Sequence, residues 1–284
     1  MRALDPEVQE AVWQAVEPLV PRPVVTHPLG CHRRRKSDRD CFQMMLVRLA
    51  TGCSWEDAER LCGNKVSDTT VRERRDEWVA AGLYAAIAGE AIRAYDRVIG
   101  LDLSEVAVDG SQHKAPGGGE GTGKNPTDRA KLGWKWSMLT DRNGIPIGWA
   151  IDGANRHDSI LLPPTLAGAW GLLEEIETIW LDRGYDSAVV QSHVKTAGIH
   201  DAVIAKKRTV GTAKDSAAPR QPMGLRWPVE RTNSWLSNFG ALRRNNSRKV
   251  AHRLAGFALA VALLLTAKLI DWRNRWSPVV TFIR

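Results

Sequence analysis

Val106-Ala107-Val108-Asp109-Gly110-Ser111 is the stretch on which the fold turns. Its first three residues are apolar and two are β-branched, the pattern of a short buried strand. Asp109 ends the run, and Gly110-Ser111 read as the turn that follows. Such a strand delivers one carboxylate to its mouth, where cations and phosphates can reach it. Thr178-Ile179-Trp180-Leu181-Asp182 repeats the arrangement, with Arg183-Gly184-Tyr185 turning the chain away. Glu230 lies in Arg226-Trp227-Pro228-Val229-Glu230-Arg231-Thr232, which reads as the opening of a helix. Two aspartates and a glutamate at one sheet edge would form a donor set for two divalent cations and for attack on a phosphodiester. Taken singly, the commoner reading of each aspartate is a strand-end carboxylate capping the next turn. Glu230, an isolated acid in a basic region, has an ion pair with Arg226 or Arg231 as its alternative.

The elements around these residues predict a mixed α/β order. Leu132 to Thr140 and Ile145 to Asp152 read as strands joined by Asp141-Arg142-Asn143-Gly144, and Asn-Gly between apolar runs is a strong hairpin signal. With the Asp109 strand they make an antiparallel meander. A helix from Asp158-Ser159, interrupted at Pro163-Pro164 and carried on to about Leu173, precedes the Asp182 strand. A helix from Ser187 to Ala197 and a strand from Asp201 to Ala205 follow. Three strands, helix, strand, helix, strand fits a ribonuclease H type of core. The glycine-rich run Pro116 to Pro126 reads as a mobile loop near the active edge, without a regular element. It is not a phosphate-binding loop, because Lys124 is followed by Asn125 where Ser or Thr is needed.

Upstream, the pattern is all helical. Val8, Val12 and Val16 mark a first helix stopped at Pro18, and His32-Arg33-Arg34-Arg35-Lys36 is either a solvated loop or a phosphate contact. Asp40 to Ala50, a short helix opened by a Ser54–Asp57 capping box, and Thr69 to Ala81 then suit a helix-turn-helix-like unit. The last of these has Thr70, Arg72, Arg74 and Arg75 on its outer positions and Val71, Trp78 and Val79 facing inward, as a recognition helix would. A small helical domain with a charged outer face is the alternative. The expected division is a helical DNA-binding domain, 1–95, and a catalytic domain with basic C-terminal helices, 96–284.

The chain has 284 residues and a formal charge of +8, and from Lys206 to the end it has 16 Lys/Arg against 3 acids. That excess favours a polyanion, nucleic acid foremost. Cys31, Cys41, Cys53 and Cys62 form no C-x-x-C pair and read as reduced thiols of a cytoplasmic protein, with zinc binding alongside His32 as the alternative. The first twenty residues lack the apolar run of a secretory signal. The apolar run Leu254 to Leu265, interrupted beyond by Lys268, is too short for a bilayer and reads as a core helix, so no membrane partner is expected.

Six blocks in order, V-A-V-D-G-S-Q-H-K-A, G-K-N-P-T-D-R-A-K, L-T-D-R-N-G-I-P, G-A-N-R-H-D-S, L-D-R-G-Y-D-S and R-W-P-V-E-R-T-N-S-W-L, resemble the DDE transposases of bacterial insertion sequences, in the family named for insertion sequence five. R-L-A-T-G-C-S-W-E-D resembles the helical DNA-binding segment of such proteins. The resemblance implies a ribonuclease H-like core whose triad falls on Asp109, Asp182 and Glu230, holding Mg2+, with Mn2+ able to substitute. It implies cleavage and strand transfer of double-stranded DNA at terminal inverted repeats and target sites, by a homo-oligomer once two ends are paired. Arg226, Arg231, Arg243, Arg244, Arg248 and Lys249 would then hold the phosphate backbone, Lys124 would be a further DNA contact, and Arg72, Arg74 and Arg75 would meet DNA from the recognition helix upstream. Arg156 and His157 read either as phosphate or metal-shell contacts or as a polar cluster at a helix start. Trp227 and Trp235 read as core packing, with stacking on a distorted base as the alternative. Asn245-Asn246 departs from the family pattern, in which alternating arginine and aromatic-acid residues often follow the glutamate helix. A metal-independent DNA-binding repressor and a plain metal-dependent nuclease of the same fold are the competing readings.

Overall fold

Three serines open three consecutive helices. In the computed structural model, which describes residues 3–22, 35–169, 171–205 and 226–276, a first helix α1 (Pro6–Val16) starts at Asp5, whose carboxylate accepts the Glu7 N–H at 3.0 Å. Cys31 and His32-Arg33-Arg34 lie outside the described residues. Ser37, Ser54 and Ser67 then cap α2 (Asp38–Thr51), α3 (Trp55–Leu61) and α4 (Asp68–Ala80). The Ser54 hydroxyl accepts the Asp57 N–H at 3.0 Å, the first half of a capping box, and donates to the Asp57 carboxylate at 2.8 Å in place of the box's reciprocal bond from the Ser54 backbone N–H. Next, α5 (Leu83–Val98) buries Leu83, Tyr84, Ile87, Ala91, Ile92 and Tyr95 along one stripe. Arg74 does not face outward: it is 5% exposed and paired with Asp38 and Glu77. A cation with two carboxylates beside it in this packing is structural.

The chain then builds a sheet from β1 (Glu105–Lys114), β2 (Gly123–Lys124), β3 (Leu132–Thr140) and β4 (Pro146–Gly153). After α6 (Asp158–Ala167) come β5 (Thr178–Leu181), α7 (Ala188–Thr196) and β6 (Asp201–Ile204). The order is β2-β3-β1-β5-β6, with β4 also paired to β3. β1 is antiparallel to β3 from Ala107↔Thr140 to Lys114↔Gly133 and parallel to β5 from Glu105↔Thr178 to Val108↔Leu181. The expected mixed α/β meander with added parallel strands is therefore present. Gly110-Ser111 are not a turn, because β1 runs through them, held by β3 on one side after β5 has ended on the other. Glycine suits that strand position for a local reason: a Cβ at Gly110 would lie 2.6 Å from Asp158 Oδ1.

One face of the sheet buries Val106, Val108, Leu139, Ile147 and Ile179 against Leu162 and Leu166 of α6 and Val190 and Val194 of α7. Pro163 and Pro164 lie inside α6 without breaking it, and the helix ends at Ala167 instead of near Leu173. The Asp141 carboxylate organises the hairpin turn, accepting the N–H groups of Asn143 (2.9 Å), Ile145 (2.7 Å) and Asp102 (3.2 Å). The glycine-rich run is docked as well as irregular. Gly123-Lys124 pair with Gly133 and Leu132, the Glu120 N–H donates to the Arg248 carbonyl at 2.8 Å, and a Cβ at Gly123 would overlap the Asn155 side chain.

Finally come α8 (Arg226–Ser237), α9 (Gly240–Arg243) and α10 (Val250–Trp276). The chain divides into two compact units, one of Gly100–Ser237 with Arg244–Val250, the other of Met1–Ile99, Asn238–Arg243 and Ala251–Arg284. The C-terminal helix thus groups with the N-terminal helices and not with the sheet, unlike the expected division. Its packing gives the reason: Phe257, Leu259, Val261, Leu263 and Leu265 are buried, and Gly256 approaches Leu49 of α2. Lys268 does not interrupt α10, whose 27 residues are long and apolar enough to cross a membrane by length and composition alone.

Candidate active site

Parallel pairing ends at Val108↔Leu181, so Asp109 and Asp182 are the next residues on two adjacent strands. Asp182 begins a 3-10 turn, Arg183–Tyr185, by accepting the Gly184 N–H at 2.7 Å. Asp109 stays in extended backbone opposite Met138. Glu230 lies in the second turn of α8 and is half in solvent, with 55% side-chain exposure. One turn before it, Arg226 has Nη2 3.3 Å from Glu230 Oε1 and 3.9 Å from Asp109 Oδ1. A single guanidinium therefore lies between two of the three carboxylates.

The electrostatics single out Asp109. Burial pushes its carboxyl up to about 6, Asp182 adds to the rise, and Arg226 with the hydrogen bonds from Gly110 and Asn233 opposes it. Asn233 is itself 6% exposed, donates from Nδ2 to Asp109 Oδ2 at 2.9 Å, and accepts from Trp136 Nε1 at 2.7 Å. His113 stacks on Trp136 with centroids 3.8 Å apart, and burial pulls its imidazole down to about 3, so it is neutral. On the opposite face, Lys135 Nζ, with a side chain 3% exposed, donates to Asp158 Oδ1 at 2.7 Å and to the Arg156 carbonyl at 2.9 Å.

Among the described residues, no three His, Cys, Asp or Glu side chains are gathered closely enough to hold a metal ion. The donor chemistry nevertheless fits a hard divalent cation, since every carboxylate here offers oxygen. Asp109 is raised chiefly by burial, and Arg226 Nη2 lies 3.9 Å from its Oδ1. Cys41, Cys53 and Cys62 are free thiols, and burial raises the first to about 11.

The basic residues expected to meet DNA divide by surroundings. Lys124, Arg243, Arg244, Arg248 and Lys249 are exposed, and so is Arg72, which pairs with Asp68. Arg75 is half-buried, paired with Asp76 at 2.9 Å and 5.5 Å above the Trp55 ring. Arg231 is held between the rings of Trp227 (4.4 Å) and Trp235 (4.6 Å), and donates to the Asn143 carbonyl at 2.6 Å. Trp227 is 58% exposed and thus not core. His157 caps α6 by accepting from the Ser159 N–H, which agrees with the helix-start alternative. Arg35 of the basic cluster is committed to Glu77 at 2.9 Å and to Asp38. Sequence reading missed the roles of Asn233, Trp136 and Lys135. The only signal was position: Asn233 is three residues after Glu230, and so near it on the helix surface.

Comparison with known proteins places these elements in company. Residues 100–265 match the family model described as a transposase DDE domain, and residues 8–88 match one described as a putative transposase of the IS4/5 family. A putative transposase for insertion sequence element IS402 of Burkholderia cepacia is 39% identical over 45% of this chain and 60% of its own length. An uncharacterized 16.2 kDa protein of the same element is 34% identical over 43% of this chain and 82% of its own length. A transposase for insertion sequence element IS1106 of Neisseria meningitidis serogroup B is 37% identical over 27% of this chain and 25% of its own length. The chain thus spans 60% of the first of these relatives.

Proposed function

This chain belongs to the DDE transposase family, and from that premise we propose that it is a DNA transposase, cutting and rejoining the ends of an insertion sequence. Asp109, Asp182 and Glu230 are the three catalytic carboxylates. What supports the assignment is that Asp109 and Asp182 follow the last parallel pair of neighbouring strands, while Arg226 reaches from Glu230 to Asp109. Members of this family use divalent metal ions, and oxygen-only ligands favour Mg2+, with Mn2+ able to substitute. When bound, the metal supplies an activated attacking oxygen and charge stabilisation at the leaving oxygen.

The chain's own residues do the rest. Asp109 and Asp182, held by strand backbone and by the Gly184 N–H, keep two carboxylates fixed at the sheet edge. Arg226 offsets the charge of Asp109 and Glu230 in the free protein and turns to a phosphate oxygen when DNA arrives. In hydrolysis a water oxygen forms the new bond to phosphorus while the 3′-oxygen leaves and takes a proton. In strand transfer that 3′-hydroxyl oxygen attacks a target phosphodiester, displacing the target's own 3′-oxygen. No covalent enzyme intermediate is needed.

The fold reading is a ribonuclease H-like catalytic core preceded by a helix-turn-helix-like DNA-binding segment, with α4 as the helix entering the major groove of the terminal repeat. Arg72 is the base-proximal cation on that helix, and the exposed Arg243, Arg244, Arg248 and Lys249 contact phosphates. Two ends held together call for at least two copies of the chain. Incubating pre-cleaved element ends with target plasmid and Mg2+ tests the reading beside Asp109→Asn, Asp182→Asn and Glu230→Gln. Joined products from wild type alone support it. Cutting without joining would point to a nuclease, and DNA binding with neither cutting nor joining, unchanged by the three substitutions, to a metal-independent DNA-binding protein.

A further inference from the structure

We propose that Asn233 positions Asp109 for metal binding, with its amide orientation set by the Trp136 indole. This rests on the transposase reading of Asp109 and goes beyond it by assigning the residues that aim the carboxylate.

An asparagine amide can present oxygen or nitrogen to either neighbour, and only its partners decide. Trp136 has no such choice, because an indole N–H can only donate. It lies 2.7 Å from Asn233 Oδ1, so Nδ2 must face the other way, where Asp109 Oδ2 is 2.9 Å off. One oxygen of Asp109 is thereby engaged, and Oδ1 is the oxygen nearer Arg226. The amide and its indole partner are both confined: Trp136 is 0% exposed and Asn233 6%.

The support continues behind the indole. His113 stacks on Trp136 at 3.8 Å and 16°, and its Nε2 is 2.8 Å from the Ser111 Oγ. Ser111 and His113 follow Asp109 at alternate positions of β1, so all three share a face of the strand. The strand that carries Asp109 therefore also braces the ring that orients its hydrogen-bond donor. Helix α8 is itself pinned to the β3–β4 turn, where Thr232 Oγ1 donates to the Gly144 carbonyl at 2.6 Å and Arg231 to that of Asn143. Because Glu230 and Asn233 are one turn apart on that helix, fixing Asn233 against Asp109 also sets the approach of Glu230 to it. Hydrogen-bond partners of metal-binding carboxylates characteristically tune affinity in this way.

The test uses the full-length chain, Mn2+ as the probe followed by electron paramagnetic resonance, and nicking of supercoiled plasmid as a second readout. Asp109→Asn is the control and should abolish the tight Mn2+ site and nicking. Asn233→Leu keeps the side chain branched at Cγ but removes its hydrogen-bonding groups, and should weaken Mn2+ binding by about 10–100-fold. Trp136→Phe keeps a ring but frees the amide to flip, and should show a smaller loss in the same direction. Should Asn233→Leu fail to fold, Trp136→Phe decides. If Asp109→Asn abolishes Mn2+ binding while both folded variants bind as wild type does, the positioning role is overturned and the transposase site survives. If Asp109→Asn leaves binding and nicking intact, the reading of the site fails and the proposal with it.

Discussion

Removing the Asp158 carboxylate should hurt the protein far more than removing its cation. Lys135 Nζ, on a side chain 3% exposed, has 2.7 Å to Asp158 Oδ1 and 2.9 Å to the Arg156 carbonyl, whereas the Asp158 side chain is 32% exposed. Asp158→Ala leaves a buried ammonium with one carbonyl. Breaking a fully buried pair from one side costs about 3–5 kcal/mol, and partial solvation here reduces that to about 2–3 kcal/mol. Loss of an acid from the first turn of α6 adds about 0.5 kcal/mol. Lys135→Met removes the charge and fills its volume, while the remaining carboxylate can turn to water, so its cost should stay below about 1 kcal/mol. For a chain of this size the difference amounts to a fall in Tm of roughly 5–14 °C for Asp158→Ala against a few degrees for Lys135→Met. Urea and thermal unfolding followed by tryptophan fluorescence would measure both, and Lys135→Met combined with Asp158→Leu should recover most of the loss. Equal effects of the two single substitutions, or a silent Asp158→Ala, would refute the reasoning.

Asp141→Ala orphans two backbone N–H groups in the β3–β4 turn and that of Asp102 before β1, and should destabilise by about 2–3 kcal/mol in chemical denaturation. Gly240→Ala would bring a Cβ within 2.2 Å of the Thr51 carbonyl oxygen, a clash with backbone, and should lower Tm by several degrees or more. Burial holds Asp109 protonated up to about pH 6 in the folded chain but only to about pH 4 when unfolded. Its contribution is therefore fully present below about pH 4 and lost as pH rises through about 6, so Asp109→Asn should stabilise the metal-free protein at pH 7–8 by up to about 2–3 kcal/mol and hardly at pH 4. Unfolding measured at both pH values checks the sign.

Much of the scaffold was legible because local rules govern it. Ser54 and Asp57 announced a capping box, Asn143-Gly144 a hairpin, and the apolar runs before Asp109 and Asp182 two strands, all decided within a few residues. The failures came where distant partners decide. Gly110-Ser111 looks like a turn until β3 is present to continue the ladder, and the docking of the glycine-rich run depends on Arg248 and Asn155. Arg74 has the spacing of an outward cation, but Asp38 and Glu77 bury it. Helix α10 groups with the N-terminal helices, which its apolar stripe does not reveal, because a stripe says that something covers it and not what. Asn233 is invisible for the same reason: its chemistry comes from Trp136 and Asp109, neither a sequence neighbour.

The central claim is that three carboxylates act together on DNA. Strand transfer of pre-cleaved element ends into plasmid, by wild type and by each of Asp109→Asn, Asp182→Asn and Glu230→Gln, tests it most directly. Loss of joined product with each single substitution, all three proteins remaining folded, is the predicted result. Wild-type levels of joining from any one of them would contradict the account.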